Sequence, residues 1–251
     1  MNVFFSDLDN TLIYSHRRQM AEEKIAAEML EGREQSYMTA RTFTFLREAG
    51  WLTTVPVTMR TEAQYRRLLF PEKLGIRHAL ICNGGKLLAD GKEDEEWSRE
   101  TAALVNSELA SLERVAERLA RLCGGEMHHP ELYYYYTRAE EPARIHGVLE
   151  KTAADGEVRI AHDRSKVYLF ARSVNKGEAV RRYRRRFGAG VTAGAGDNAE
   201  DIPMLRETDY PMMPEKLAAE TEIPKAEMLR GEIISEQICA ALERLHERGL
   251  F

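Results

Sequence analysis

Four short polar segments of the chain carry residue types that could do chemistry together. In chain order they are Asp7-Leu8-Asp9-Asn10-Thr11-Leu12, Thr58, Lys176-Gly177 and Gly196-Asp197-Asn198-Ala199-Glu200-Asp201. Because crowded carboxylates repel one another, three or four of them in one place need a cation. A set of oxygen ligands suits Mg²⁺, which keeps several waters and often binds a substrate phosphate. The segments therefore predict a magnesium site that handles phosphate.

The lysine and the threonine extend this chemistry. The Lys176 ammonium and a metal ion could together neutralise a phosphoryl group, and the Thr58 hydroxyl could donate a hydrogen bond to it. Once that charge is screened, a carboxylate can attack phosphorus and form an aspartyl-phosphate. Each feature is common by itself, since many strand-to-loop junctions are acidic and many helices begin with lysine. All four in this order favour a phosphoryl-transfer site over a purely structural role.

The elements that position these residues follow from the hydrophobic pattern. Strands are predicted over residues 3–8, 51–58 and 191–195, and each ends at one of the polar segments, while Lys176 begins a predicted helix over 176–187. Strands alternate with helices at both ends of the chain, which predicts an α/β fold with a doubly wound (Rossmann-like) parallel sheet. Ligands bind at the carboxyl ends of the strands in such sheets.

The middle of the chain has a different pattern. Asp90-Gly91 predicts a hairpin between strands at 86–89 and 93–97, and one long helix is predicted over 101–123. In the tyrosine-rich strand over 132–137, side chains are expected to alternate between two faces. We therefore predict a core that comprises residues 1–85 and 173–251, interrupted by an inserted α+β cap domain, residues 86–172.

In some parts of the core, the local sequence pattern does not settle whether a segment forms a helix or a strand. Residues 19–30 have helix-forming composition, whereas Glu31-Gly32 could turn a hairpin between 24–30 and 33–38. Thr39 is expected to cap a helix, and residues 61–70 to form another helix that Pro71 closes. Residues 78–82 predict a third strand of the core.

The four segments, in order and on these elements, resemble the haloacid dehalogenase superfamily of phosphohydrolases. Thr58 and Lys176 are 176 − 58 = 118 positions apart, whereas Asp9 and Thr58 are 58 − 9 = 49 apart. A large insert at that place is similar to the Cof-like group with a type-two cap, which includes sugar-phosphate phosphatases. The resemblance implies a Mg²⁺-dependent phosphatase that hydrolyses a small phosphorylated metabolite, such as a sugar phosphate, through an aspartyl-phosphate. It also implies that the cap sets substrate specificity, and it favours a hairpin over residues 24–38.

The resemblance also implies roles for individual residues. Asp7 would be the nucleophile and a metal ligand, and Asp9 the general acid and base, with its carbonyl also on Mg²⁺. Asp197 would bind the metal, and Asp201 would hold either a metal-bound water or Lys176. Thr58 and Lys176 would bind the phosphoryl group. The expected substrate-binding residues are Asn10, Thr11, Arg60 and Asn198.

Two motifs depart from the family pattern. Thr58-Met59-Arg60 stands where Thr-Gly-Arg is usual, so backbone freedom at the middle position is lost. In the last segment, Asn198 and Glu200 stand where Ser and Asn are usual, and Glu200 either adds negative charge near the metal or points outward.

Composition excludes several other classes of protein. The 251 residues carry a net charge of 36 − 41 = −5, which argues against a dedicated nucleic-acid binder. The arginine-rich stretch 181–186 is therefore interpreted as a solvated helix face, with Tyr183 and Phe187 packed inward. The mean hydropathy is −0.47, and no apolar run approaches the ~20 residues of a membrane span. Three scattered cysteines suit neither a disulfide framework nor a zinc site, and His128-His129 is expected in a loop. We expect a cytoplasmic monomer or small homo-oligomer.

Three alternative functions stay open at this point. A phosphomutase would pass the phosphoryl group from Asp7 to a second hydroxyl of the substrate. A receiver-like protein would instead keep the phosphoryl group as a signal, but a second acid at Asp9 favours turnover. A binding module without catalysis is disfavoured because all the key groups are present.

Overall fold

The computed structural model describes residues 1–151, 158–163, 165–219 and 221–251. The strands are β1 (Val3–Ser6), β2 (Tyr14–Ser15), β3 (Lys24–Leu30), β4 (Arg33–Thr39), β5 (Thr53–Pro56), β6 (His78–Ile81), β7 (Lys86–Ala89), β8 (Lys92–Glu93), β9 (His128–Glu131), β10 (Tyr134–Arg138), β11 (Val158–Asp163), β12 (Lys166–Ala171), β13 (Thr192–Ala195), β14 (Tyr210–Pro214) and β15 (Glu227–Leu229). The helices are α1 (Ala40–Glu48), α2 (Glu62–Tyr65), α3 (Glu95–Val105), α4 (Leu109–Cys123), α5 (Pro142–Glu150), α6 (Lys176–Phe187), α7 (Ile202–Arg206), α8 (Glu215–Ala218) and α9 (Ser235–Glu247).

The chain divides into two compact units. The larger unit comprises Met1–Glu93 and Lys176–Phe251, and the smaller unit comprises Asp94–Asn175. The hairpin of β7 and β8, which lies inside the predicted cap range 86–172, belongs to the larger unit because β7 pairs along its whole length with β6.

A five-stranded parallel sheet forms the centre of the larger unit, which confirms the predicted α/β fold. The strand order is β15-β14-β13-β1-β5, and every neighbouring pair is parallel. All residues of β1 and β13 are buried, as expected for inner strands of a parallel sheet. The chain steps from β1 to β5 on one side and later returns to β13 on the other. Such a reversal is where open α/β sheets bind ligands.

A β-hairpin follows the first polar segment, as the resemblance implied and the helical alternative did not. Strands β3 and β4 pair antiparallel, and Glu31 (φ 51°) and Gly32 (φ 74°) form the turn between them. Two left-handed residues match the right-handed twist of the flanking strands, and Gly32 adopts such a φ without steric cost. This hairpin is called the flap below.

The helix predicted over residues 61–70 is wrong beyond its first turn. Helix α2 ends at Tyr65, although Thr61 and Gln64 form a reciprocal cap at its start. Past it, the Leu69 amide donates to the Ala27 carbonyl at 2.9 Å, so the chain runs beside the flap. Backbone pairing with the flap has overridden the local helical preference.

The third predicted strand of the core does not pair along the main sheet. Strand β6 forms a separate antiparallel sheet with β7 and β8. It meets the main sheet next to β5 through an isolated bridge between Val57 and Leu80. This bridge places the chain after β6 beside the segment that carries Thr58.

The smaller unit is a four-stranded antiparallel sheet, ordered β11-β12-β10-β9, with α4 and α5 packed on it. The single helix predicted over 101–123 is wrong, because α3 starts at Glu95 and a 3-10 turn over Asn106–Glu108 separates it from α4. Asp94 caps α3 by accepting from the Trp97 amide at 2.9 Å, so residues 95–97 form a helix and not the predicted strand.

Aromatic side chains of the smaller unit alternate as predicted. The Tyr134 and Tyr136 rings share a face, where the Tyr134 ring stacks on Phe170 at 4.6 Å. The Tyr135 ring stacks instead on His129 at 3.9 Å. His128 and His129 lie in strand β9, so the loop predicted for them is wrong. Ring stacking on the neighbouring tyrosines favours an extended chain.

The arginine-rich helix α6 packs largely as expected. Tyr183 is fully buried, and its ring lies tilted against the ring of Phe187, with centroids 4.5 Å apart. Arg182 is an exception to the predicted solvated face, since it too is buried. Within the described parts of the chain, no helix is both long and apolar enough to span a membrane.

Candidate active site

A buried lysine lies between two aspartates at the carboxyl edge of the main sheet. Lys176 Nζ lies 2.6 Å from Asp7 Oδ1 and 2.6 Å from Asp201 Oδ1, and the lysine side chain is 1% exposed. Asp197 adds a third buried carboxylate, and one oxygen from each aspartate lies within 4.8 Å of the others. The fold thus brings together four of the predicted site residues from three segments of the chain.

The sheet register explains this convergence. Ser6 at the end of β1 lies opposite Ala195 at the end of β13. The Asp7 amide continues the pairing by donating to the Ala195 carbonyl at 2.9 Å. Asp7 and Asp197 therefore leave adjacent strands at the same edge, and Lys176 reaches them from the first position of α6.

Asp201 fixes both the lysine and the loop that carries Asp197. Its Oδ2 accepts from the Asp197 amide at 2.8 Å and the Asn198 amide at 3.1 Å, while its Oδ1 bonds to Lys176. Asp201 thus contacts Lys176, one of the two groups that the resemblance implied it would hold. With both oxygens bonded in this way, Asp201 acts as an anchor for its neighbours.

Two glycines allow the close contacts that this cluster needs. A Cβ at Gly196 would lie 2.2 Å from the Asp201 Cβ, and a Cβ at Gly177 would lie 2.5 Å from the Pro203 carbonyl oxygen. Any other residue would push the Asp201 turn or the start of α6 away. The Lys-Gly and Gly-Asp pairs in the sequence therefore have a steric reason.

The cluster holds more negative charge than its lysine can neutralise. Burial raises the pKa of Asp7 well above its ordinary range; Lys176 opposes this rise, and Asp201 adds to it. Burial and then Asp201 raise the pKa of Asp197 to about 6. Burial acts to lower the pKa of Lys176, but Asp201 and Asp7 together raise it, so the lysine stays protonated.

This set of donors fits a hard divalent cation. The three donors are buried carboxylates, and two have a pKa that burial and mutual repulsion have raised. A cation that binds oxygen, such as Mg²⁺, would relieve that repulsion. Because both Asp201 oxygens already accept hydrogen bonds, Asp7 and Asp197 are the better placed ligands.

The Asp9 carboxylate lies outside this cluster and pairs with Arg60. Arg60 Nε donates to Asp9 Oδ2 and Nη2 donates to Asp9 Oδ1, both at 2.8 Å. Arg60 Nη1 also lies 3.0 Å from Glu28 Oε2, and Arg67 Nε lies 3.0 Å from Glu28 Oε1. The N–H directions favour Asp9, since the two contacts with Glu28 meet the distance of an ion pair but not the angles of a hydrogen bond.

Thr58 lies in a tight turn after β5. Its hydroxyl accepts from the Arg60 amide at 3.2 Å, which leaves the hydroxyl hydrogen to be donated. The Cys82 amide holds the Arg60 carbonyl at 2.8 Å, and the Asn83 amide holds the Thr58 carbonyl at 2.9 Å. The backbone at Met59 does not have a positive φ, so no glycine is needed there.

The other predicted substrate-binding residues have different surroundings. Asn198 Nδ2 donates to Asp197 Oδ1 at 3.1 Å. Asn10 Oδ1 lies 3.5 Å from Arg18 Nη2. The Thr11 side chain is completely buried, and its hydroxyl has no hydrogen-bond partner among the residues that the structure describes. Their binding roles stay predictions.

Sequence reasoning missed three charged neighbours of the site. Glu28 and Arg67 extend the ion pair of Arg60, and Lys216 Nζ lies 3.8 Å from Asp197 Oδ2. Glu28 had one weak signal, an acidic residue inside the apolar strand β3. No pattern marked Arg67 or Lys216, because their positions depend on how distant segments pack.

The comparisons with known proteins agree in fold. No protein-family model matches the chain, and no curated protein matches it. The sucrose-phosphatase of Synechocystis is 14% identical, with 96% of this chain and 97% of that chain covered and a TM-score of 0.63. A haloacid dehalogenase subclass IIB sugar phosphatase is 15% identical, with 100% of both chains covered and a TM-score of 0.58. A trehalose-6-phosphate phosphatase related protein is 19% identical, with coverage of 98% and 99% and a TM-score of 0.56. Similarity at this level of identity shows a shared fold.

Proposed function

We propose that this chain, which has the haloacid dehalogenase fold, is a magnesium-dependent phosphatase of a small phosphorylated metabolite, and that the metabolite is a phosphorylated sugar. The observation that carries the proposal is the buried Lys176 between Asp7 and Asp201, beside Asp197. The names of the similar structures, a sucrose-phosphatase and a sugar phosphatase, support the substrate class.

In the first step, an oxygen of the Asp7 carboxylate attacks phosphorus. The bond from phosphorus to the leaving oxygen breaks, and Asp9 donates a proton to that oxygen, so an alcohol departs and an aspartyl-phosphate remains. Lys176 and the Thr58 hydroxyl bind phosphoryl oxygens. Lys176 also holds Asp7 in place, because the two are already in contact at 2.6 Å.

In the second step, Asp9 takes a proton from a water molecule as the water oxygen attacks phosphorus. The bond from phosphorus to Asp7 breaks, which releases inorganic phosphate and restores the Asp7 carboxylate and the protonated Asp9. Asp7, Asp197 and the Asp9 carbonyl would hold Mg²⁺. When bound, the ion would screen the negative charge of the phosphoryl group and the carboxylates.

A screen of phosphorylated sugars and other metabolites tests the proposal. With Mg²⁺ present, we expect the protein to release inorganic phosphate from at least one sugar phosphate, and excess chelator to stop the release. Asp7→Asn serves as the matched inactive control. Conversion of the sugar phosphate to an isomer without phosphate release would identify a phosphomutase and contradict the proposal.

We also propose that the smaller unit, Asp94–Asn175, sets substrate selectivity. Support comes from the stacked aromatic face of its sheet, since sugar rings pack well on aromatic rings. A Tyr136→Leu variant should change the ranking of sugar phosphates while it leaves turnover of a small aryl phosphate unchanged. An unchanged ranking would count against this assignment.

A further inference from the structure

Arg60 lies between two carboxylates that come from different parts of the larger unit. Its Nε and Nη2 donate to the two oxygens of Asp9, and its Nη1 approaches Glu28 on the flap at 3.0 Å. The Glu28 side chain is 6% exposed, the Arg60 side chain 12% and the Asp9 side chain 53%. Exposure therefore increases along the chain of ion pairs from Glu28 to Asp9.

This arrangement conflicts with the role of general acid and base that is proposed for Asp9. A bidentate arginine pair occupies both oxygens of the carboxylate with strong, charge-assisted hydrogen bonds. An Asp9 carboxyl held in this way cannot hand a proton to a leaving oxygen at the same time. The arrangement in the structure is therefore a resting state, and Asp9 must leave Arg60 before it acts as general acid.

Glu28 compensates the charge of Arg60 while Asp9 is away. A largely buried guanidinium without a carboxylate partner would be strongly destabilised. Glu28 keeps one partner on Arg60 when Asp9 moves, and Arg67 neutralises the other Glu28 oxygen at 3.0 Å. The Arg60 backbone is fixed at Thr58 and Cys82, so the exposed Asp9 side chain is the part that can move.

We propose that Arg60 is a latch that holds Asp9 in the free protein and releases it when a phosphoryl oxygen of the substrate takes over its Nε and Nη2 donors. Glu28 is the positioning residue that keeps Arg60 in place during the exchange. This inference rests on the proposed phosphatase function. Phosphate suits the exchange because arginine binds carboxylate and phosphate with the same two-donor geometry.

The kinetic test uses Glu28→Gln, with Glu31→Gln at the exposed flap turn as the matched control. Without the Glu28 charge, Asp9 becomes the main partner of Arg60, so its release is harder. For a sugar phosphate, kcat should fall about tenfold, a fraction of the ~10²–10⁴ that acid–base help supplies. For 2,4-dinitrophenyl phosphate, whose leaving group needs no proton, the comparison uses the first step alone, so the rate of dinitrophenolate release in a single turnover should fall less than about twofold. KM should rise for both substrates, because each must displace a more tightly held Asp9 from Arg60.

A purely structural role for Glu28 would lower both rates together. Equal losses on the two substrates, or no loss on the sugar phosphate, would overturn the latch. The Glu31→Gln control should keep wild-type rates on both substrates.

A binding test needs no turnover and uses inorganic phosphate as the probe, measured by calorimetry. Because Asp9 competes with phosphate for Arg60, Asp9→Ala should tighten phosphate binding several-fold, and the gain should vanish in an Arg60→Met background. A gain that persists with Arg60→Met would reflect lost repulsion alone and would overturn the latch. If the wild-type chain hydrolyses no phosphate ester, the proposed function fails, while this cycle still decides whether Asp9 and phosphate compete for Arg60.

Discussion

Two cations of the larger unit each bridge two carboxylates, but in different surroundings. Lys176 joins Asp7 to Asp201 in a cluster where the lysine side chain is 1% exposed. Arg60 joins Asp9 to Glu28, and the exposed end of that bridge is Asp9. The side chains of the inner bridge are at most 6% exposed, whereas the outer bridge meets water at the Asp9 end.

This difference in exposure indicates which of the two bridges can exchange partners. Breaking a buried ion pair leaves an uncompensated charge in a medium that cannot solvate it, which is strongly unfavourable. Breaking a pair at an exposed carboxylate costs little, because water and salt take over. The inner bridge is therefore a fixed frame for Asp7, the proposed nucleophile, and the outer bridge can open and close during the proposed catalytic cycle.

The largest expected effect separates the two aspartates by activity. Asp7→Asn replaces the nucleophilic carboxylate with a neutral amide and should lower phosphate release by about 10⁴-fold or more. Asp9→Asn removes acid–base help only and should cost ~10²–10⁴-fold. Phosphate release assays measure both, and circular dichroism checks that each variant stays folded. Near-wild-type turnover in Asp7→Asn would rule out the covalent mechanism.

The next prediction separates the two cations by stability. Lys176→Met leaves Asp7 and Asp201 buried without their cation, so the free energy of unfolding should fall by about 3–5 kcal/mol. Arg60→Met should cost about 1 kcal/mol, because Asp9 is half exposed and Glu28 keeps Arg67. Urea unfolding of both variants without metal provides the measurement. Equal losses would show that the two bridges are equally fixed.

The smallest effect concerns the pH dependence of the inner cluster. Asp197 has a pKa of about 6 in the folded chain against an ordinary 3.8, so between these values the folded state holds a proton that the unfolded state has lost. Stability should therefore fall as pH rises through this window, by roughly 2–3 kcal/mol, and then level off.

Urea unfolding in chelator between about pH 4 and pH 7 measures this slope. Asp197→Asn should reduce it and leave the part that comes from the raised pKa of Asp7, and saturating Mg²⁺ should reduce it further, because a cation favours the ionised carboxylates. A slope that is the same in wild type and Asp197→Asn would show that another group is responsible.

Most of the fold could be predicted from the sequence wherever the hydrophobic periodicity and the residues at the ends of an element indicated the same structure. Helix α6 and strand β7 have the predicted bounds, because their apolar positions and boundary residues point to one structure. The errors fall where distant pairing or a local cap decided. Residues 67–69 pair with the flap, and Asp94 caps the start of a helix in a segment that was predicted to be a strand.

The sequence alone was sufficient to predict which residues meet in the inner cluster. The Asp, Thr, Lys-Gly and Gly-Asp segments each follow a strand or begin a helix, and parallel strands bring their carboxyl ends to one edge whatever the details of packing. The partners of Asp9, in contrast, follow from the folded chain and not from any sequence pattern. The bridge from Asp9 through Arg60 to Glu28 depends on how the flap folds against the turn after β5, and such a contact between separate segments leaves no periodic signal in the sequence.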